Sequence, residues 1–241
     1  MSILNLFRKD KKFTLYRKIT NGREVIEDTW QNDSRDSSLL QSDVVQKLIE
    51  LGQDMGQATE EASLNPGFGL LYYQLTRLAK PDTALVIGSY RGFVPVCISL
   101  GLADNRKGIC IFIDPGFEDA FWHNEDTVVR LNEKFNLDGR LKHVPMTTND
   151  AYNRDTIPKS IDLLHIDGDH SYKEVKQDFD LCYPRVIKGG YVFLHDAVAT
   201  GKGLTSMEVR EFLTQEVQNR SDLEKITFPF DQGLAVLRKL S

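Results

Sequence analysis

From Pro81 to the C-terminus the chain repeats one pattern, a short and almost unbroken apolar run followed by a segment able to form a helix. The runs are "TALVIG" (83–88), "GICIFID" (108–114), "RLKHV" (140–144), "IDLLHID" (161–167) and "GYVFLHD" (190–196). A strand that is apolar on both faces has to be covered on both faces. A helix between successive strands is long enough to carry the chain back for parallel pairing. Helix-compatible segments lie near 93–103, 124–136, 149–156, 171–183 and 206–219. The pattern predicts a doubly wound α/β fold around a mostly parallel sheet. At the tail, "EKITFPF" and "GLAVLRK" flank "DQG". Two strands joined by so tight a turn run antiparallel, so the sheet is expected to finish with a hairpin-like pair.

Residues 1–65 do not share this rhythm and are expected to form an N-terminal extension with a helical cap, leaving 66–241 as the α/β domain. Apolar residues at helical spacing (Leu40, Val44, Leu48, Leu51, Met55) predict one helix ending at Gly56, and a second is expected from Pro66 to Leu78. The first helix has a stripe to bury, against the ligand pocket or in a homodimer. "TWQNDSRDSS" (29–38) reads as a loop, and the basic residues 1–20 as a solvated extension or a peripheral membrane or partner arm.

A net charge of -5 and a pI near 5.6 argue against a broad nucleic-acid surface. No run approaches the length of a membrane span. The start "MSILNLFRKDKKF" has its apolar residues before its charges, the reverse of a secretory signal. Cys97, Cys110 and Cys182 are odd in number and lack C-x-x-C spacing, which suits reduced core residues of a cytoplasmic protein.

In open α/β sheets, ligands bind at the carboxyl ends of the strands. The first strand ends in "IGSYRG", where Gly88 and Gly92 permit a sharp turn and close approach of a ligand. The spacing is G-x-x-x-G and not that of a dinucleotide cradle. The second strand ends at Asp114, about 25 residues further on, where a carboxylate is placed to accept from a ribose diol. The alternative is the first residue of a Pro-Gly turn. Together they favour an adenosine-type ligand. "MTTND" after the third strand offers Thr148 to an adenine, or simply a helix cap.

The fourth strand leads into "HIDGDHSY" and the fifth into "LHDA". Ends of adjacent parallel strands lie about 5 Å apart. Asp167 and Asp196 therefore converge if these strands are neighbours, and two such carboxylates repel unless a proton or cation lies between them. Oxygen ligation suits Mg²⁺ or Mn²⁺. His165, inside its strand, reads as a packed histidine. His170 can face the pocket or be a surface histidine at a helix start.

"IDLLHIDGDHSYKEVKQDFDLCYPRVIKGGYVFLHDA" resembles the second half of class I S-adenosylmethionine-dependent methyltransferases, in the branch of macrocin-type O-methyltransferases and cephalosporin-hydroxylase-like proteins. "ALVIGSYRG" resembles the first cofactor motif of that family, and the likeness spans about Pro66 to Arg238. It implies a Rossmann-like methyltransferase fold with seven strands and an S-adenosyl-L-methionine cofactor. Gly88, Ser89, Tyr90 and Gly92 would lie near its methionine part, Asp114 on the ribose and Thr148 near the adenine. Asp167, also a cofactor neighbour, and Asp196 match divalent-metal ligands, and His170 a general base acting with Asp167. Two departures stand out. Val86 occupies a position that is often acidic, and His195-Asp196-Ala197 replaces Glu-Asp or Asp-Asn, so His195 would join and soften a metal site. The implied activity is O-methylation of a small hydroxylated acceptor such as a sugar. A non-catalytic cofactor-binding scaffold and a nicotinamide-dependent reductase are the alternatives.

Overall fold

The computed structural model describes residues 15–20, 23–28, 44–55, 66–118, 120–124, 126–198 and 208–241. It divides into two compact units, residues 1–41 and 42–241. In the first, β1 (Leu15–Thr20) pairs antiparallel with β2 (Arg23–Asp28). This strand pair was not expected in a segment read as an extension. The 29–38 loop lies outside the described residues.

The second unit begins with α1 (Val44–Met55) and α2 (Gly69–Ala79). There follow β3 (Thr83–Ile87), α3 (Phe93–Asn105), β4 (Ile109–Ile113), α4 (Asp126–Lys134), β5 (Leu141–Val144) and α5 (Thr148–Asn153). Then come β6 (Ile161–Ile166), α6 (Tyr172–Cys182), β7 (Val186–His195), α7 (Val209–Phe212), β8 (Leu223–Phe228) and β9 (Leu234–Lys239). The sheet order is β5-β4-β3-β6-β7-β9-β8. The five strands from β3 to β7 are mutually parallel, and β9 lies antiparallel between β7 and β8. The fold is the doubly wound, mostly parallel seven-stranded sheet that the apolar runs require. The antiparallel strand is the last in sequence, while β8 takes the edge.

Alternation along the strands divides the core in two. Ala84, Val86, Phe112 and Leu163 pack with α1, α2 and α3, whereas Leu85, Ile87, Leu164 and Ile166 pack with α6 and α7. The α1 stripe of Val44, Leu48, Leu51 and Met55 is buried in the first of these cores, so its apolar face is already covered within the chain. Strand β7 begins four residues earlier than its apolar run suggests. The register against β6 shifts between Ile161 and Leu163. Gly189, at φ +82°, and Gly190, where a Cβ would come within 2.9 Å of Ile187 O, absorb that irregularity. No described helix is long and apolar enough to cross a membrane. The three cysteines are unpaired and buried.

Candidate active site

The order of strands reverses between β3 and β6, which places their carboxyl ends, with those of β4 and β7 beside them, around one crevice. Gly88 closes β3 with φ +73°, and a Cβ there would lie 2.1 Å from the carbonyl oxygen of Asp167. No other residue fits this crossing. Backbone bonds continue the ladder past the strand ends: Gly88 N donates to Ile113 O at 3.0 Å and Asp167 N to Ile87 O at 2.8 Å.

Asp114 is buried, and its Oδ2 accepts from both the amide and the hydroxyl of Ser89, each at 2.8 Å. Its Oδ1 accepts from Gly116 N at 2.8 Å. A carboxylate offers about four acceptor positions, so about one remains for an outside donor. Tyr90, also at positive φ (49°), is half exposed, and Trp122 Nε1 donates to its carbonyl at 2.6 Å. The Trp122 ring covers Gly92, where a Cβ would come within 3.0 Å of it, and packs on Phe112 and His143. His143 stacks on Phe112 and holds the Asp114 carbonyl at 2.7 Å from Nε2. Burial lowers its pKa below the usual histidine value. Neither Trp122, in a short helical turn, nor His143, inside β5, was picked out from the sequence, since neither belongs to a periodic apolar pattern.

Thr148 is buried at the first turn of α5, capped by Thr147. Its hydroxyl bonds to Asp178, a buried carboxyl on α6 that burial pushes up to about 7. Asp178 also lies under Gly168, where a Cβ would be 3.4 Å from its Oδ2. The sequence did signal this residue, because Val175, Asp178, Phe179 and Cys182 share the buried stripe of α6. Val86 is fully buried between Phe112 and His165 in the sheet, so nothing acidic replaces it at that point.

Because β6 and β7 are neighbours, Asp167, His170, His195 and Asp196 meet at their ends. His170 Nε2 lies 3.1 Å from Asp196 Oδ2 and 3.4 Å from Asp167 Oδ1. His195 Nδ1 lies 3.4 Å from Asp196 Oδ1 and 3.5 Å from Asp167 Oδ1. Asp196 is buried at φ +57°, and its Oδ1 makes no well-formed hydrogen bond. Among the described residues, ligand atoms of Asp167, His170 and Asp196 gather within 4.8 Å of one another.

The charges are interdependent. Burial would raise the Asp167 carboxyl, but the His195 charge and hydrogen bonds from both imidazoles hold it well below the usual carboxylate range. Burial would likewise lower His195, yet Asp167 and Asp196 push it up to about 10. The hydrogen bond to Asp167 raises His170 above the ordinary histidine value. His165 is fully buried, as its place inside the strand suggests, with Nε2 3.2 Å from the Tyr72 hydroxyl. Burial lowers it to about 4, so it is a neutral packed imidazole.

The chain has relatives. A family model described as a methyltransferase domain matches residues 85–197, which run from β3 through the whole Asp167–Asp196 cluster. This stretch is similar to a methyltransferase domain. An uncharacterised protein of Acanthamoeba polyphaga mimivirus is 34% identical over 138 residues, covering 54% of this chain and 60% of that protein. An uncharacterised protein of Sinorhizobium fredii is 28% identical over 173 residues, 68% of this chain but 18% of that protein. The chain thus spans less than two thirds of either curated relative. Among solved structures, an O-methyltransferase from Bacillus cereus in complex with SAH superposes with a TM-score of 0.61 at 14% identity, covering 85% of this chain and 94% of that one. At that identity the likeness establishes the Rossmann-like methyltransferase fold. In this fold the strand-end crevice is bordered by Gly88, Ser89, Asp114, Asp167 and Asp196.

Proposed function

We propose that the protein is an S-adenosylmethionine-dependent methyltransferase acting on a hydroxyl of a small polyhydroxylated acceptor such as a sugar. The observation that supports this most is the meeting of His170, Asp167, His195 and Asp196 at the ends of β6 and β7, one strand from the Gly88 turn. The cofactor, when bound, supplies a methyl group on a good leaving group. The chain's own task is to align the acceptor and take its proton. Asp114, held by Ser89 and Gly116, has an acceptor position left for a ribose hydroxyl. Gly88, Ser89, Tyr90 and Gly92 form the turn for the methionine part, and Thr148 the adenine side.

His170 is the base in this reading. With Nε2–H directed at Asp196 and Asp167, its Nδ1 is the atom that takes the proton as the acceptor oxygen forms its bond to carbon. The two carboxylates hold the ring and raise its basicity. A second reading, a divalent ion, is favoured by the buried Asp196 Oδ1, which makes no well-formed hydrogen bond although His195 Nδ1 lies 3.4 Å from it. Asp167, Asp196 and either His170 or His195 would hold it. An imidazole among the ligands suits Mn²⁺ better than Mg²⁺. Such an ion would lower the pKa of the acceptor hydroxyl.

The test is transfer of a labelled methyl group to a panel of hydroxylated metabolites, with and without chelator. His170→Ala is expected to lower the rate by about 10²–10⁴, the usual worth of a positioned base. Activity lost on chelation and restored by Mn²⁺ would select the metal reading. Full activity in His170→Ala would remove the base.

A further inference from the structure

We infer that Glu208 is a positioning residue for His170, clamping the short loop that carries this imidazole; the inference rests on the reading of His170 as the base. The loop, residues 167–171, joins β6 to α6. Ser171 stands at the N-cap of α6 with extended backbone (φ -68°, ψ 145°), yet its side chain makes no capping hydrogen bond. The first amides of a helix have no partner within it and need one from outside. Tyr172 N finds that partner 36 residues away, donating to Glu208 Oε2 at 2.8 Å. The carboxylate also meets the positive end of the α6 dipole, which favours an anion there.

The same residue holds the other side of the loop. Glu208 N donates to His170 O at 2.8 Å. Glu208 therefore grips the chain immediately before and immediately after Ser171, once through its backbone and once through its side chain. Asp169 closes the loop from within, its Oδ1 accepting from Ser171 N at 2.8 Å. That bond gives Asp169 a local task away from the His170 ring.

Glu208 is itself the residue preceding α7, and the π-helical turn that continues α7 (Leu213–Val217) is tied back to α6 a second time. The Tyr172 hydroxyl donates to Glu216 Oε1 at 2.6 Å, and Lys176 Nζ lies 3.2 Å from Glu216 Oε2. The Tyr172 ring meets Phe212 at 6.2 Å between centroids. The joint between the two helices is thus fastened at several points, and Glu208 is the point that touches the His170 loop. His170 needs this because its Nε2 must stay 3.1 Å from Asp196 Oδ2 while its own backbone lies outside regular structure. A displacement of about 1 Å at a reacting group can cost about 10²-fold in rate.

The experiment compares Glu208→Ala, Glu208→Gln and Glu208→Asp with the unaltered enzyme, reading kcat, KM and the ring ¹⁵N chemical shifts of His170. Glu208→Ala is expected to lower kcat by about ten- to a hundred-fold, to leave KM for S-adenosylmethionine within about two-fold, and to move the His170 ring shifts. Glu208→Gln keeps an acceptor for Tyr172 N and is expected to restore most of the rate and the unaltered shifts. Unaltered kcat and His170 shifts in Glu208→Ala would overturn the inference. Should the alanine variant not fold, Glu208→Asp withdraws the acceptor by one methylene. It is expected to move the His170 shifts, and unaltered shifts with unaltered kcat would overturn the inference equally. If His170→Ala proves fully active, the base reading fails by itself, and the His170 shifts alone then decide whether Glu208 holds the loop.

Discussion

Asp178→Asn is expected to stabilise the protein at alkaline pH and to have little effect near pH 4. Burial between α6, Gly168 and Thr148 raises this carboxyl from 3.8 to about 7, with Glu174 and Asp169 adding repulsion. A folded-state pKa above the unfolded one means that the native state binds the proton more tightly. Asp178 therefore penalises folding least below pH 4. The penalty grows as the pH rises towards 7 and is constant above it. Each pH unit in that window is worth about 1.4 kcal/mol, which gives about 4 kcal/mol as the upper figure for full ionisation. An asparagine keeps an oxygen to accept from Thr148 and carries no charge, so about 2–4 kcal/mol should be regained at pH 8. Urea unfolding of both proteins at pH 4.5 and pH 8 measures the difference directly. Equal stability differences at the two pH values would refute the reasoning, because a pH-independent effect cannot come from a titrating carboxylate.

Other outcomes follow from the site. Gly88→Ala should fail to form a competent site, since its Cβ would lie 2.1 Å from Asp167 O; circular dichroism and cofactor titration would report this. Asp114→Ala should free the Ser89 amide and hydroxyl together and weaken cofactor binding, measurable by calorimetry, far more than Asp196→Asn does. The methyl-transfer rate should rise with pH as His170 loses its proton, with the midpoint above the usual histidine value, and His170→Ala should lack that limb.

The sheet was legible because its central strands β3, β4 and β6 are nearly unbroken apolar runs, and burial on both faces leaves such runs few alternatives. Asp167 and Asp196 could be paired for the same reason, once β6 and β7 were taken as neighbours. The 15–28 strand pair was missed although Asn21-Gly22, the strongest short hairpin signal, separates its strands. Basic residues beside it drew the reading towards an extension. Trp122, Asp178 and Glu208 act through contacts with residues 30 or more positions away, Tyr90, Thr148 and Tyr172 respectively. Only Asp178 left a local mark, a charge within an apolar helical stripe.

The central claim is that the crevice at the ends of β3, β4, β6 and β7 binds S-adenosylmethionine and its product. Isothermal calorimetry with S-adenosylhomocysteine tests it without needing the acceptor. Saturable one-to-one binding, lost in Asp114→Ala and retained in His170→Ala, is the expected result. No heat of binding from the folded, unaltered protein at millimolar S-adenosylhomocysteine or S-adenosylmethionine would contradict it.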